Sequence, residues 1–373
     1  DSHCWLGSGL SLCLPTKSIL NNWGKSGQLA LKLRQDLSTL NQFALPQKLT
    51  INSILSGEIS TKWSPQQNLT AQANFILSSG DLSYNSQYQQ ELISQWQRGQ
   101  LTLDLNNKKL ITALRIDKAN NYPLINASAS VHFAEQLALN GSIELNQFSL
   151  QPLQVFIDNV ADLKGHVSSK LNISGTLNKP IINGSLSLVE GALLLNQSPN
   201  QLASINSAIE IKQNQATVQG DFKIEGKQGN FTGELSWQNK LLANIDLYAV
   251  SLPLIFPPQL VAEVSPAINI SLTNNHMMIS GNIDVLAGSY NIEKLPQGSI
   301  NLSKDVVFVD NQGKKIISPT PHLKLTTDIK INTKNSFKVY GQGLQAELRG
   351  QLALKQKVHQ PLQVFGKIQS QQG

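Results

Sequence analysis

Strict two-residue alternation limits how this chain can fold more than any other feature. Between Gly165 and Leu195, Val167, Leu171, Ile173, Gly175 and Leu177 fall on one side of an extended strand. His166, Ser168, Lys170, Asn172, Ser174 and Thr176 fall on the other. After a break at Asn178-Lys179-Pro180, Ile182, Gly184, Leu186 and Leu188 alternate with Asn183, Ser185 and Ser187. Successive strand side chains point to opposite faces, so the pattern demands a sheet with one apolar and one polar face.

The pattern recurs from Leu49 to the end of the chain. It predicts an all-β protein of roughly 25 strands with almost no helix. A hairpin is expected across Asn106-Asn107, a strand over Leu153–Ile157, and a short helix or a strand over Gln89–Arg98. A helical turn is expected near Ser18–Trp23, and the prolines between Pro253 and Pro266 are expected to interrupt the sheet. Glycines also repeat: Gly184 and Gly191, Gly281 and Gly288, and Gly366 and Gly373 share a spacing of seven, in strands of similar character. An in-strand glycine marks a bend or a close backbone approach. Repetition of this kind predicts a quasi-one-dimensional array, on the order of 100 Å if the strands stack along one axis.

The chain has 373 residues, more than one ordinary core holds. Charged residues make up 14%, against a usual figure of about 25%. Asn, Gln, Ser and Thr fill the polar faces instead, as in secreted and surface β-proteins. The net charge of +6 comes from scattered residues, with only Lys108-Lys109 and Lys314-Lys315 adjacent. That excludes a nucleic-acid binder, which concentrates its basic residues with interleaved aromatics, and leaves a weak attraction to anionic lipid surfaces. Cys4 and Cys13 are either two free thiols or a hairpin disulfide. The low-charge β-composition favours the disulfide and an oxidising compartment. No apolar run reaches the length of a transmembrane helix. The chain starts in mid-pattern without Met, as a segment of a longer protein would.

Chemistry is not written into this sequence. His3, His132, His166, His276, His322 and His359 show no metal-ligand spacing. Asp221, Glu234, Asp284 and Asp328 stand singly, and neither a nucleophile elbow nor a phosphate-binding loop occurs. The reading therefore assigns no catalytic residue, metal or cofactor and does not describe an enzyme. The apolar faces need a cover, which periodicity alone leaves open. Two faces could pack as a sandwich or barrel. Alternatively the sheet could roll into a trough lined by Leu, Ile, Val, Ala and Gly, in keeping with an aromatic content of 6%.

The stretch SGTLNKPIINGSLSLVEGALL resembles the repeated unit of the TamB family, in the AsmA-like superfamily of bridge-like lipid-transfer proteins. The segment from Tyr290 to Gly313, followed by the segment from Val339, is similar to that family's C-terminal domain. Val339, Gly341, Gly343, Leu344, Leu348, Gly350, Pro361, Leu362, Val364 and Gly366 stand at its motif positions. The Cys-Trp near the start, followed by a second Cys, also resembles the family. The resemblance implies an elongated, mostly antiparallel sheet rolled into a U-shaped apolar groove, the β-taco. Residues 1–160 would form its N-terminal part, continuous with a C-terminal-domain-like part over 161–373.

It further implies a periplasmic segment of an envelope-spanning protein, held in the inner membrane by an N-terminal anchor outside these residues. The implied role is to shield phospholipid acyl chains between the two membranes and to assist assembly of outer-membrane proteins and autotransporters. The implied partner is a TamA-like outer-membrane barrel, met through parts beyond this chain. The expected groove lining is Leu171, Ile173, Leu186, Leu188, Ile209, Ile211, Ile245, Ile270, Ile279, Ile283, Leu325, Ile329 and Leu348. A docking scaffold for outer-membrane β-strands, working through open sheet edges, is the rival reading. An extracellular adhesin with a filled interior is the third.

Overall fold

The computed structural model describes residues 2–15, 19–21, 26–41, 49–65, 69–85, 90–134, 136–157, 159–196, 198–238, 240–293, 324–358 and 360–372. Two compact units divide the chain. The first comprises Asp1–Asn196 with Ser204–Ala216, the second Gln197–Ala203 with Thr217–Gly373.

The first unit holds β1 (Ser2–Gly7), β2 (Leu10–Pro15), β3 (Ile19–Asn21), β4 (Ser26–Asp36), β5 (Leu49–Asn52), β6 (Ile54–Trp63), β7 (Thr70–Leu77) and β8 (Gly80–Asn85). It continues with β9 (Gln90–Trp96), β10 (Arg98–Asn106), β11 (Lys109–Asp117), β12 (Pro123–His132), β13 (Ala138–Ser149), β14 (Val160–Thr176), β15 (Lys179–Leu195) and most of β16 (Leu202–Lys212). Strands β1, β2, β4, β6, β7, β10, β11, β12, β13, β14 and β15 pair in that order, all antiparallel. A small sheet, β5–β8–β9, extends β6, β7 and β10 beyond a shared break at Ser53, Ser78-Ser79 and Gln97. Serines staple that break. The Ser53 hydroxyl donates to the Ser78 carbonyl at 2.9 Å, as does the Trp96 indole N–H, while Ile54 N–H donates to the Ser78 hydroxyl at 3.0 Å.

The second unit holds β17 (Gln215–Ile224), β18 (Lys227–Ser236), β19 (Leu242–Ala249), β20 (Leu252–Phe256), β21 (Leu260–Thr273), β22 (His276–Asn291), β23 (Lys324–Gly341), β24 (Leu344–Gln356) and β25 (Gln363–Gln372). Strands β18, β19, β21, β22, β23, β24 and β25 pair in order, and β20 pairs with the start of β21. All pairs are antiparallel except β22–β23. Among the described residues helix is confined to 3₁₀ turns at Leu37–Leu40, Ala119–Asn121 and Gln151–Phe156. The protein is all-β and mostly antiparallel.

Local expectations fared unevenly. The Asn106-Asn107 hairpin forms as expected, with Asn107 in the left-handed region that such a turn requires. Gln90–Trp96 is strand, because its edges pair with β8. Leu153–Ile157 is not strand. Pro152 withholds a ladder donor there, and the Gln154 side chain both donates to Ala161 O and accepts from Leu163 N–H, so the segment closes into a 3₁₀ turn. The prolines near 253–266 do not break the sheet, since Pro253 sits on the short strand β20 and Pro266 keeps register with Ile283. Ile19–Asn21 is extended; the rest of the turn expected at Ser18–Trp23 lies outside the described residues. So do Lys314-Lys315, His322 and His359.

The Leu37–Leu40 turn carries a pH-sensitive cap. The Asp36 carboxylate accepts from Ser38 N–H at 3.0 Å and from the Ser38 hydroxyl at 2.7 Å, and these bonds hold its pKa below the usual carboxylate range. A lowered folded pKa means the cap contributes above the unfolded carboxylate's pKa and is lost as pH falls through the folded value. The protection factor of the Ser38 amide, its exchange rate relative to an unstructured peptide at the same pH, is expected to fall below the ordinary aspartate range in the wild type. In Asp36→Ala protection should be low at every pH, and equal protection in the two proteins would refute the assignment.

The apolar face as candidate functional site

Register carries one apolar row across eleven strands of the first unit's larger sheet: Trp5, Leu12, Leu33, Gly57, Phe75, Leu101, Leu114, Ala127, Ile143, Leu171 and Gly184. One residue along, the opposite face reads Lys32, Glu58, Asn74, Thr102, Ala113, Ser128, Ser142, Asn172 and Asn183, with Lys32 and Glu58 paired at 2.7 Å. In the second unit Phe231, Leu247, Ile268, Gly281, Ile329, Leu354 and Val364 form an equivalent apolar row, beside Asp246, Asn269, Ser280, Asp328, Lys355 and Gln363 on the other face.

Each expected lining residue can be placed. Leu171 and Ile173 on β14 share a face with Leu186 and Leu188 on β15: Ile173 pairs with Ile182, Leu171 with Gly184, and Leu188 with Val167. Ile209 and Ile211 are half-buried on β16, between exposed Ala208, Glu210 and Lys212. Ile245, Ile270 and Ile279 form one row across β19, β21 and β22. Ile283 pairs with Ile331, Leu325 with Met277, and Ile329 with Gly281, all on that face. Leu348 pairs with Phe337 beyond a register shift in β23. All thirteen are half-buried and none is buried.

That intermediate state is informative. A sandwich core would bury such side chains completely, yet among the described residues no large side chain is fully buried. Most buried apolar residues gather instead toward one row of strand ends, the packed end; Ala216 and Val218, at the start of β17, are buried at the other. Those at the packed end include Leu49, Tyr84, Trp96, Leu124 and Val167 in the first unit, and Leu252, Val264, Val285, Val339 and Ala346 in the second. At the packed end of β15, Leu188 lies over Gly165 and Gly191, where added Cβ atoms would meet its methyls at 2.9 Å and 3.1 Å.

Sequence reasoning passed over Ser169. It stands on the apolar face of β14 between Leu145 and Leu186, is 7% exposed, and its hydroxyl has no hydrogen-bond partner among the described residues. Its position in the alternation, on the parity of Leu171, was the available signal.

The three repeated glycines share one geometry. Gly184, Gly281 and Gly366 have φ of +144°, +139° and +143°, and a Cβ on each would overlap the carbonyl oxygen of Lys170, Ala267 or Gln351. In every case that carbonyl belongs to the residue before the glycine's register partner. The sequence repeat is therefore a repeated backbone approach on the apolar face.

Cys4 and Cys13 are register partners on β1 and β2, with Cα atoms 4.1 Å apart, and are joined as a disulfide. Among the described residues no group of His, Cys, Asp or Glu is placed to hold a metal, and no helix is long and apolar enough to cross a membrane.

Comparison with known proteins adds a family. Residues 1–188 match the model of the TamB N-terminal domain, and residues 208–373 match that of the TamB C-terminal domain. Over 388 aligned residues the chain is 23% identical to the translocation and assembly module subunit TamB of Haemophilus influenzae, covering 100% of this chain and 29% of that protein. The chain thus spans well under half of that relative's length. No solved structure matches.

Proposed function

The chain belongs to the TamB family, and we propose on that footing that its apolar face shields phospholipid acyl chains on their way between the inner and outer membranes. The observation that carries the proposal is the aliphatic face, continuous in register across the paired strands of each unit, on which no large side chain is fully buried among the described residues. Two acyl chains carry about 30 methylenes at about 0.8 kcal/mol each, so about 25 kcal/mol opposes their passage through water. An aliphatic strip of half-exposed Leu, Ile, Val and Ala offsets most of that cost without chemistry, while the polar headgroup stays in solvent. The proposal gives the chain a periplasmic setting, within a longer inner-membrane-anchored protein that works beside the other subunits of a translocation and assembly module. A contribution to outer-membrane protein and autotransporter assembly would then follow from lipid supply.

Native mass spectrometry of the purified chain tests this directly. Co-purifying diacyl phospholipid, displaced by added detergent, is the expected result. A chain that leaves membrane-containing lysate without lipid, and takes up none from phospholipid vesicles, would sink the proposal.

A further inference from the structure

At three places a strand overruns its neighbour, and each bare edge meets the side-chain amide of one residue. β4 ends at Asp36, opposite Ile54, while β5 continues the line of β6 beyond it. There Ile51 N–H donates to Asn41 Oδ1 at 2.9 Å, and Asn41 Nδ2 donates to Ile51 O at 3.2 Å. The last register pair of β13 and β14 toward the packed end is Ser149 with His166. Beyond it Gln154, buried on the 3₁₀ turn after β13, donates through Nε2 to Ala161 O at 2.7 Å and accepts from Leu163 N–H at 3.3 Å. In the second unit β18 pairs with β19 as far as Gly229 with Ala249, and β20 runs on along β21. Asn200, in the turn before β16, accepts from Ile255 N–H at 2.8 Å and donates through Nδ2 to Ile255 O at 2.9 Å.

The chemistry of the three is the same. A side-chain amide presents a donor and an acceptor as a peptide group does, so it takes the hydrogen-bonding place of the missing strand. At β20 a second device acts on the same edge. The N–H and C=O of Ile255 both meet Asn200 and so point away from β21, and the backbone groups of Pro253, two residues earlier, share that direction. Proline has no N–H, so Asn200 occupies the one outward donor that Leu252–Phe256 has left. These five residues carry no charge, so the edge lacks the lysine that commonly turns away a second strand.

We infer that Asn41, Gln154 and Asn200 are edge latches, which keep these strand segments from pairing with the same segment of a second copy of the chain. An uncharged edge is self-complementary: in a two-fold antiparallel pair, Ile255 of each copy exchanges both of its outward bonds with the other. While the amide holds those groups, a second copy can bind only by displacing it. The inference is independent of what the apolar face carries.

Sedimentation velocity on the 373-residue chain, joined to hydrogen exchange at the Ile255 amide, tests the latch. Asn200→Ala is expected to self-associate at least about tenfold more tightly than the wild type, because the intermolecular hydrogen bonds no longer compete with bonds inside the chain. Its Ile255 amide should exchange fast in dilute solution and regain protection on concentration. Adding Ile255→Pro should restore wild-type association, since it removes the freed donor and leaves the bonds to β21 in place. Asn269→Ala is the control: that side chain bonds Asn244 and Asp246 on the polar face, and its loss should leave association as in the wild type. An Asn200→Ala protein that associates no more tightly than the wild type overturns the inference, whether or not Ile255 loses protection. Association that survives Ile255→Pro, or that the Asn269→Ala control shares, also overturns it, by tracing to general loosening.

Discussion

Leu186→Asp combined with Ile283→Asp is expected to reduce phospholipid retention by at least about tenfold with little loss of secondary structure. Both side chains stand on the apolar face, half-buried, one in each unit. A carboxylate against an acyl chain keeps its charge only if it keeps water, so it either excludes the chain or is desolvated without a partner. Either outcome costs more than the 1.4 kcal/mol that separates a tenfold change in affinity. Because neither site is fully buried, the carboxylates remain solvated in the lipid-free protein and the fold should survive. Ser187→Asp, on the polar face of β15, serves as the control and should retain lipid. Unchanged retention in the double variant would rule out the apolar face as the binding surface. Unchanged lipid with lost capture of unfolded outer-membrane β-strands would favour the docking-scaffold reading.

Gly184→Val, or Gly281→Val, should destabilise its unit more than any surface change. The left-handed backbone at +144° or +139° costs a β-branched residue about 1–3 kcal/mol. The overlap with the carbonyl of Lys170 or Ala267 adds about 1–3 kcal/mol more, because backbone cannot yield as a side-chain tip can. The urea midpoint should fall sharply, and strand exchange protection around β14–β15 or β21–β22 should drop with it. Gly7→Ala makes the contrast, since nothing lies within 4 Å of the added methyl and it should be neutral. A Gly184→Val protein with wild-type midpoint would mean that the repeated glycine does not shape the sheet.

Much of this was legible in the residues. Alternation at Val167, Leu171 and Ile173 against Lys170 and Asn172 gave the face of β14, and the recurrence of Gly184, Gly281 and Gly366 flagged a shared geometry. Local rules failed where pairing decides. Leu92, Ile93 and Trp96 suit a helix face as well as a strand, and the edge of β8 settled the matter. Leu153, Val155 and Ile157 alternate like a strand, but Pro152 and the bonds of Gln154 close them into a turn.

The sequence by itself determined the all-β class, the two-faced strands and the family, since each follows from side-chain period and local motif. Tertiary structure alone decided that one apolar row runs in register through each unit and that packing gathers toward one row of strand ends. The physical reason is that period fixes which face a side chain takes, whereas only hydrogen-bonded register fixes its neighbours across strands.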